Sequence, residues 1–167
     1  MYFISNATNS DLIFVKQLAH KIWYPTYGSI LTKNQIDYML QKFYDLDYLE
    51  HQMLVEKHRF LLLNDLETND KVGFAAFNLL ANEPAVKLQK LYISSQLQGK
   101  NLGKMLLNAV EQAANELNAQ TLCLNVNRHN KAKFFYEKQG FSILKEEDID
   151  IGNGFMMNDF VMSKQLV

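Results

Sequence analysis

Cysteine, proline, histidine and net charge are all scarce in this chain of 167 residues. The one cysteine, Cys123, cannot form an internal disulfide, so a reducing compartment, the cytoplasm, is expected. The formal net charge is -1, so the chain lacks the excess of positive charge that binding a nucleic acid requires, and no nucleic-acid partner is expected. No apolar run reaches the length of a membrane span, so no membrane partner is expected either.

Residue types that often bind metals or act as nucleophiles also give weak signals. The four histidines have no ligand-like spacing, so no metal is expected. Cys123 lies in the apolar segment TLCLNVN and is predicted to point into the core as a small hydrophobic residue. With 48% apolar and 21% charged residues, the composition is that of an ordinary globular protein. Residues 1–167 are therefore expected to form a single domain.

The most informative segment is residues 86–117, whose pattern predicts a strand, a loop with glycines and a long amphipathic helix. The loop, residues 98–104, places Gly99 and Gly103 where a backbone turns sharply or approaches a ligand closely. Asn101 between them is one of the few other residue types that tolerate a positive φ. Because the first turn of a helix has unpaired N–H groups and partial positive charge, this loop suits a phosphate group. The apolar stripe of the helix consists of Leu102, Met105, Leu106, Ala109, Val110, Ala113, Ala114 and Leu117.

The loop does not match the better-known phosphate-binding patterns. It contains no GxGxxG, and the interval from Gly99 to Gly103 is one residue short of a nucleoside-triphosphate loop. Met105 stands where a serine or threonine would hold magnesium. We therefore expect a ligand that carries phosphate without a magnesium-bound triphosphate.

The strand before the loop changes phase along its length. Val86 and Leu88 are apolar in one register, whereas Leu91 and Ile93 are apolar in the other. One extra residue between the two pairs, a β-bulge, would return both to a common face. A strand buried on both faces is the alternative. The bulge is favoured because residues 87–90 include two lysines and a glutamine, which are poorly suited to full burial.

The remaining segments predict the element order β-α-α-α-β-β-β-α-β-α-β-β. The first helix is expected to stop at Trp23-Tyr24-Pro25, because the residue before a proline disfavours helical geometry. Thr32 is predicted to cap the second helix, and Asp45 or Asp47 the third. The predicted fold class is α/β, with a mixed, mostly antiparallel twisted sheet of about seven strands flanked by helices.

Two motifs in this order resemble the GNAT family of N-acetyltransferases. Residues 91–93 (LYI) followed by residues 98–103 (QGKNLG) are similar to the acetyl-CoA loop of that family, Q/R-x-x-G-x-G/A. Residues 124–141, LNVNRHNKAKFFYEKQGF, resemble its next motif, a strand, an asparagine and a helix bearing Phe-Tyr that ends in Gly-Phe. The order of strands and helices matches over almost the whole chain. The C-terminal segment IGNGFMMNDFVMSK resembles, more weakly, the ending of bacterial polyamine-type members.

Three features depart from the pattern of the family. Asn101 stands where the loop motif prefers its first glycine, which requires Asn101 to adopt the same left-handed turn. The spacing around Asn130 varies in the family, so Asn127 could share or take its role. Many members have a glutamate general base on the central strand, where this chain has Lys87 and Gln89.

The resemblance implies a GNAT-like sheet with a β-bulge and splayed central strands that receives acetyl-CoA as a co-substrate. The loop amides would bind the diphosphate, and the split in the sheet would receive the pantetheine arm. Lysines at the helix ends would contact the CoA phosphates, although each could equally be a solvated side chain. The implied cofactor-binding residues are Leu91, Tyr92, Ile93, Gln98, Gly99, Lys100, Asn101, Leu102, Gly103, Lys104, Asn130 and Lys133.

The resemblance also gives Tyr136 a catalytic role, protonation of the departing CoA thiolate. A thiol pKa of about 8.5 makes the thiolate a moderate leaving group that a positioned phenol can assist. The alternative is that Phe134, Phe135 and Tyr136 only pack their helix onto the sheet. Candidates for the general base, of which none stands out, are Glu56, Glu83, His129 and a water held by Gln89.

The sequence therefore predicts an N-acetyltransferase that transfers acetyl directly from acetyl-CoA to a primary amine. A small amine or polyamine is the first choice of acceptor, and a peptide or protein N-terminus or lysine is the alternative. A non-catalytic module that binds or senses acyl-CoA is an alternative of another class, favoured by the missing strand carboxylate. A homodimer is compatible with the sequence.

Overall fold

The computed structural model describes residues 1–166, which form one seven-stranded sheet with helices on both faces. The helices are α1 (Leu12–Tyr27), α2 (Lys33–Phe43), α3 (Leu46–Leu54), α4 (Leu102–Glu116) and α5 (Ala132–Lys138), with short 3-10 turns at Asn9–Asp11 and Ser95–Leu97. The strands are β1 (Tyr2–Asn6), β2 (Arg59–Asp65), β3 (Lys71–Leu79), β4 (Ala85–Ile93), β5 (Thr121–Asn127), β6 (Ser142–Gly152) and β7 (Phe155–Gln165). No helix in this part of the chain combines the length and the apolar character needed to cross a membrane.

The strands lie in the order β1-β2-β3-β4-β5-β7-β6. Their pairings are antiparallel except that of β4 with β5, which is parallel. The parallel pair is the one joined by a helix crossover through α4, as the connection between parallel strands requires. The predicted mixed, mostly antiparallel sheet is thus confirmed.

The capping residues of two helices follow the sequence prediction, whereas the end of α1 does not. The Thr32 hydroxyl accepts a hydrogen bond from Gln35 N at 3.2 Å, and the Asp45 carboxylate caps α3. The expectation that α1 stops before Pro25 is wrong, since the helix continues to Tyr27. Near the end of a helix a proline removes only one hydrogen bond, and the rings of Trp23 and Tyr27 pack 4.7 Å apart in the same last turns.

The sheet separates two apolar cores. On one face α4 and α5 cover a core that includes Leu106, Leu107 and Val110. On the other face α1, α2 and α3 pack against β2 and β3 through residues such as Phe60 and Phe74. The central strands β3 and β4 contribute residues to both cores, so they are packed on both faces of the sheet.

The predicted β-bulge lies in β4, and the sheet splits beside it. Ala76 of β3 is opposite Lys90 whereas Phe77 is opposite Leu88, so Gln89 is the extra residue. The bulge places Leu88 and Leu91 against the same α4 core. The β4–β5 pairing covers only residues 85–88 and 121–124, so the later parts of both strands diverge.

Cys123 does not point into the core as expected. Leu122 and Leu124 of β5 are buried under α4, and the two-residue period of a strand directs Cys123 to the opposite face. There it is partly exposed beside Lys87 of the neighbouring strand. Burial nevertheless raises the pKa of its thiol.

Candidate active site

The split in the sheet opens into a cavity of about 1040 Å³. Its wall includes the second half of β4, the loop before α4, the end of α1 and the start of α5. Lys100 and Lys133 are the two predicted site residues that do not line it. The predicted residues that do line it are Leu91, Tyr92, Ile93, Gln98, Gly99, Asn101, Leu102, Gly103, Lys104, Asn130 and Tyr136.

The loop over residues 98–104 has the conformation that its sequence predicts. Gly99 and Asn101 both have positive φ, +82° and +60°, so the chain turns sharply before α4. The first hydrogen bond across the helix start runs from Met105 N to Asn101 O at 3.1 Å. The N–H groups of residues 102–104 precede it and have no partner within the helix. Residues 102–104 line the cavity at the positive end of the helix dipole, where an anionic group is stabilised.

Gly103 joins this loop to the rest of the site. A Cβ atom at Gly103 would lie 3.5 Å from Phe135 Cζ and 3.9 Å from Leu91 Cδ2. The first turn of α4 therefore packs closely between α5 and β4, which border the split. Gly99, in contrast, has no atom within 4 Å of such a Cβ and faces open space.

The basic and amide side chains of the site differ in how freely they can meet a ligand. Lys104 borders the cavity, whereas Lys133 lies 3.8 Å from Glu137 and close to the ring of Phe160. Asn130 Oδ1 accepts a hydrogen bond from Ala132 N at 2.9 Å, so it starts α5. This leaves the amide NH₂ of Asn130 as its donor group toward the cavity.

Tyr136 lies at the junction of the cavity and the α4 core, with 9% of its surface exposed. Its ring packs edge-on against Phe135 and Phe141 at centroid distances of 5.1 Å and 5.7 Å. Phe134, by contrast, is largely exposed and does not pack the helix onto the sheet. Burial raises the pKa of the Tyr136 phenol, with a smaller contribution from Tyr27. A phenol held in its protonated form can act as a proton donor.

A group of three tyrosines lies beside the bulge and lines the cavity. The hydroxyls of Tyr27 and Tyr92 are 3.1 Å apart, although the residues are 65 positions apart in the chain. Tyr44 lies next to them, and burial raises the pKa of all three phenols. Tyr27 belongs to the last turn of α1, beyond the residues at which the sequence predicts the helix to stop. These hydroxyls give the cavity a polar wall on the α1 side.

A buried carboxylate, that of Asp159 on β7, also lines the cavity. Asn125 Nδ2 donates to Asp159 Oδ2 at 3.3 Å and to Glu147 Oε2 at 3.1 Å. Burial is the main reason that the pKa of Asp159 is raised. The signal in the sequence is one acidic residue within a mostly apolar segment, FMMNDFVM.

Lys90 is buried on the α3 side of the cavity, with 7% of its surface exposed. Its ammonium donates to Gln52 Oε1 at 2.9 Å and lies 5.4 Å from the centre of the Tyr44 ring. Burial lowers the pKa of Lys90 to about 8, although Glu56 acts in the opposite direction. The expectation that Lys90 is unsuited to burial was therefore wrong, even though the bulge that it supported is present.

We predict that Lys90→Met makes the protein more stable by about 1–3 kcal/mol near pH 7. The pKa of Lys90 is lowered from 10.5 to about 8 by folding, so the folded state is penalised below pH 8. Between pH 8 and 10.5 the unfolded chain binds the extra proton, so wild-type stability rises and the difference between the two proteins shrinks. Denaturant unfolding at several pH values measures this difference.

The exposed Lys21 supplies a matched control for that measurement. Lys21→Met should leave the free energy of unfolding nearly unchanged at every pH, because its ammonium stays in water. A stability difference between wild type and Lys90→Met that does not vary from pH 7 to 10.5 would show that Lys90 titrates normally.

Within residues 1–166, no three or more His, Cys, Asp or Glu side chains are grouped closely enough to hold a metal ion. The polar groups of the cavity include main-chain amides, tyrosine hydroxyls, side-chain amides, a carboxylate and lysines. Such groups can bind an anion at the loop and move or hold protons deeper in the cavity.

Residues 29–163 match the protein family described as "Acetyltransferase (GNAT) domain", which accounts for most of the chain. The chain belongs to the GNAT family. The resemblance that the two sequence motifs indicated is therefore confirmed. The family assignment also identifies this protein as an acyltransferase, an enzyme rather than only a binding module.

The similarity to individual GNAT relatives extends over most of the chain in some cases and over half of it in others. It is 27% identical over 158 residues to the spermidine N(1)-acetyltransferase of Thermoplasma acidophilum, with 93% of this chain and 91% of that protein covered. Over 84 residues it is 37% identical to the ribosomal protein bS18 alanine N-acetyltransferase of Haemophilus influenzae, with 50% and 56% covered. The crystal structure of PaiA N-acetyltransferase from Thermoplasma acidophilum in complex with coenzyme A is similar with a TM-score of 0.82 and 25% identity, covering 99% of both chains.

Proposed function

We propose that this GNAT protein transfers an acetyl group from acetyl-CoA directly to the primary amine of a small amine or polyamine. The observation that carries the proposal is a single cavity that joins three features. These are the amide-rich loop at residues 98–104, the divergence of β4 from β5 and the buried phenol of Tyr136. The whole chain, residues 1–167, would act as one acetyl-CoA-binding domain.

The loop before α4 would bind the diphosphate of acetyl-CoA through its main-chain N–H groups. Gln98, Lys100 and Lys104 would surround the phosphates, while Lys133 is the weakest candidate because Glu137 competes for its charge. The thioester arm would enter the split, where β4 has main-chain groups that β5 does not pair. Support for this use of the groove comes from the related PaiA structure, which is a complex with coenzyme A.

Tyr136 would act as the general acid. When the acceptor nitrogen attacks the thioester carbonyl, an N–C bond forms, the C–S bond breaks and the sulfur takes a proton from the Tyr136 hydroxyl. The attacking nitrogen loses one proton, which restores the proton that Tyr136 gave up. The products are therefore an amide and the free thiol. An alkylamine with a pKa of about 10 arrives mostly as ammonium and must lose another proton before it attacks.

Direct transfer is favoured over an acetyl-cysteine intermediate. The thiolate is the reactive form of a cysteine, and burial raises the pKa of Cys123, which lowers its thiolate fraction at neutral pH. This reason replaces the sequence-based expectation that Cys123 is directed into the core. Cys123 is the one cysteine in the chain, so it is the one residue that could form an acetyl-cysteine intermediate.

The small-amine acceptor is supported by the relative named spermidine N(1)-acetyltransferase, whose similarity extends over 93% of the chain. A peptide N-terminus is the second candidate, because the relative named for ribosomal protein bS18 alanine is 37% identical over half of it. A screen of acceptors by release of free CoA thiol distinguishes them. We expect turnover with spermidine or monoamines and little with peptides, whereas turnover with peptides alone would contradict the proposal.

The same screen tests the remaining parts of the proposal. Binding of acetyl-CoA without thiol release on any amine or peptide would overturn the proposed acetyl transfer. A cytoplasmic location, suggested by the single cysteine, and a homodimeric state belong to the proposal as well. Size-exclusion chromatography with light scattering measures the second of these.

A further inference from the structure

Asp159 is a charged residue deep in the cavity for which the reaction described so far has no use. It lies on β7 opposite Asn127 of β5 and lines the cavity. Only 6% of its surface is exposed. A carboxylate at this depth is costly to bury unless a cation or several donors compensate for the lost water.

The partners of Asp159 do not provide that compensation. Its Oδ2 accepts one hydrogen bond from Asn125, and within residues 1–166 no lysine, arginine or histidine forms an ion pair with it. Lys87 and Arg128 act on Asp159 only at longer range, and burial outweighs both of them, so the pKa of Asp159 is raised. One oxygen of the Asp159 carboxylate is therefore left for a donor that comes from outside the chain.

The position of Asp159 also fits the geometry of the reaction. The Tyr27 hydroxyl, held by Tyr92, is close enough to both Asp159 and Tyr136 to interact electrostatically with each. Asp159, Tyr27 and the proposed acid, Tyr136, all line the same cavity. A group bound by Asp159 would be near the place where the thioester is attacked.

From this placement we infer that Asp159 binds the ammonium group of the acceptor. The inference rests on the proposed function, which it deepens by naming a protonated primary amine as the form that is recognised. A primary ammonium has three donors, and the free oxygen of Asp159 and the Tyr27 hydroxyl can accept two of them. Recognition by a buried opposite charge favours charged amines over uncharged nucleophiles of similar size.

The test compares two acceptors of different charge in the full-length protein. Butylamine is an ammonium ion at pH 7, whereas O-methylhydroxylamine is uncharged, and both can be followed by release of CoA thiol. Asp159→Asn should lower kcat/KM for butylamine about 30-fold, mainly through a higher KM. The same variant should lower kcat/KM for O-methylhydroxylamine less than about 3-fold. Asp159→Glu, which keeps the charge, should restore part of the preference for butylamine.

Glu147→Gln is the matched control, because Glu147 shares the amide of Asn125 but lies outside the cavity wall. It should leave both kcat/KM values within about 3-fold of wild type. Equal losses for the two acceptors in Asp159→Asn, or no loss for butylamine, would overturn the assignment.

Two further measurements separate this result from other failures. Titration of Asp159→Asn with coenzyme A should give the wild-type affinity, which shows that the variant is folded. If Asp159→Asn does not fold, Asn125→Ala provides the test. This variant removes the hydrogen bond that orients the Asp159 carboxylate, so KM should rise several-fold for butylamine and stay unchanged for O-methylhydroxylamine. A wild-type protein that releases no thiol with any amine would overturn the proposed function itself, and this inference with it.

Discussion

Replacing Tyr136 by phenylalanine should lower kcat about 100-fold or more and leave the Kd for acetyl-CoA within about 3-fold of wild type. The substitution removes only the hydroxyl, so the edge-on packing against Phe135 and Phe141 is kept. The loss would fall on the step in which the thiolate leaves. Steady-state kinetics by thiol release and calorimetric titration of acetyl-CoA measure the two quantities.

Tyr24→Phe is a suitable control for this experiment. This substitution also removes a hydroxyl that donates a hydrogen bond, in this case to Asp37. Tyr24, however, lies outside the cavity. Its kcat should equal that of wild type, whereas equal kcat in Tyr136→Phe would rule out the acid role.

Burial raises the pKa of Tyr136 above its usual value of 10, so the phenol keeps its proton through the neutral range. Ionisation of Tyr136 should therefore not lower wild-type kcat below about pH 10.

The second large effect concerns the conformation of the loop before α4. The double variant Gly99→Val with Asn101→Val should weaken binding of coenzyme A about 100-fold. Valine disfavours the left-handed conformation that both residues adopt, by roughly 1–2 kcal/mol each. The loop would leave that conformation, and its amides would no longer converge on the diphosphate unless binding restored it. Calorimetric titration with coenzyme A measures the loss.

The turn between β6 and β7 provides a matched control with similar backbone strain. Asn153 and Gly154 also have positive φ, 55° and 77°, and Gly154 likewise faces open space. Asn153→Val with Gly154→Val should cost similar stability yet keep the affinity for coenzyme A. Asn101→Gly should bind normally as well, because glycine adopts the same turn without strain. A loop double variant that binds as wild type would show that these amides do not hold the ligand.

The features that sequence reasoning predicted correctly depend on neighbours in the chain. The bulge in β4 follows from the phase of its own apolar residues, and the turn at Asn101 follows from the glycines around it. The family motifs at residues 98–103 and 124–141 are local in the same sense. Each could be recognised without knowing which strands pair.

The features that were missed depend on residues far apart in the sequence. The Tyr27 hydroxyl has a role only because β4 places Tyr92 beside it, and Asp159 faces the cavity only because β7 pairs with β5. Lys90 is buried because Gln52 of α3 and the Tyr44 ring cover it. Propensity and periodicity do not report such contacts, and a proline signal alone ended α1 too early.

The most direct test of the proposed binding mode is a crystal structure of the protein with coenzyme A. We expect the diphosphate within hydrogen-bond distance of the main-chain N–H groups of residues 99–104, and the thiol in the split between β4 and β5 beside Tyr136. A diphosphate bound elsewhere, or a thiol on the far side of the sheet from Tyr136, would contradict the proposed site.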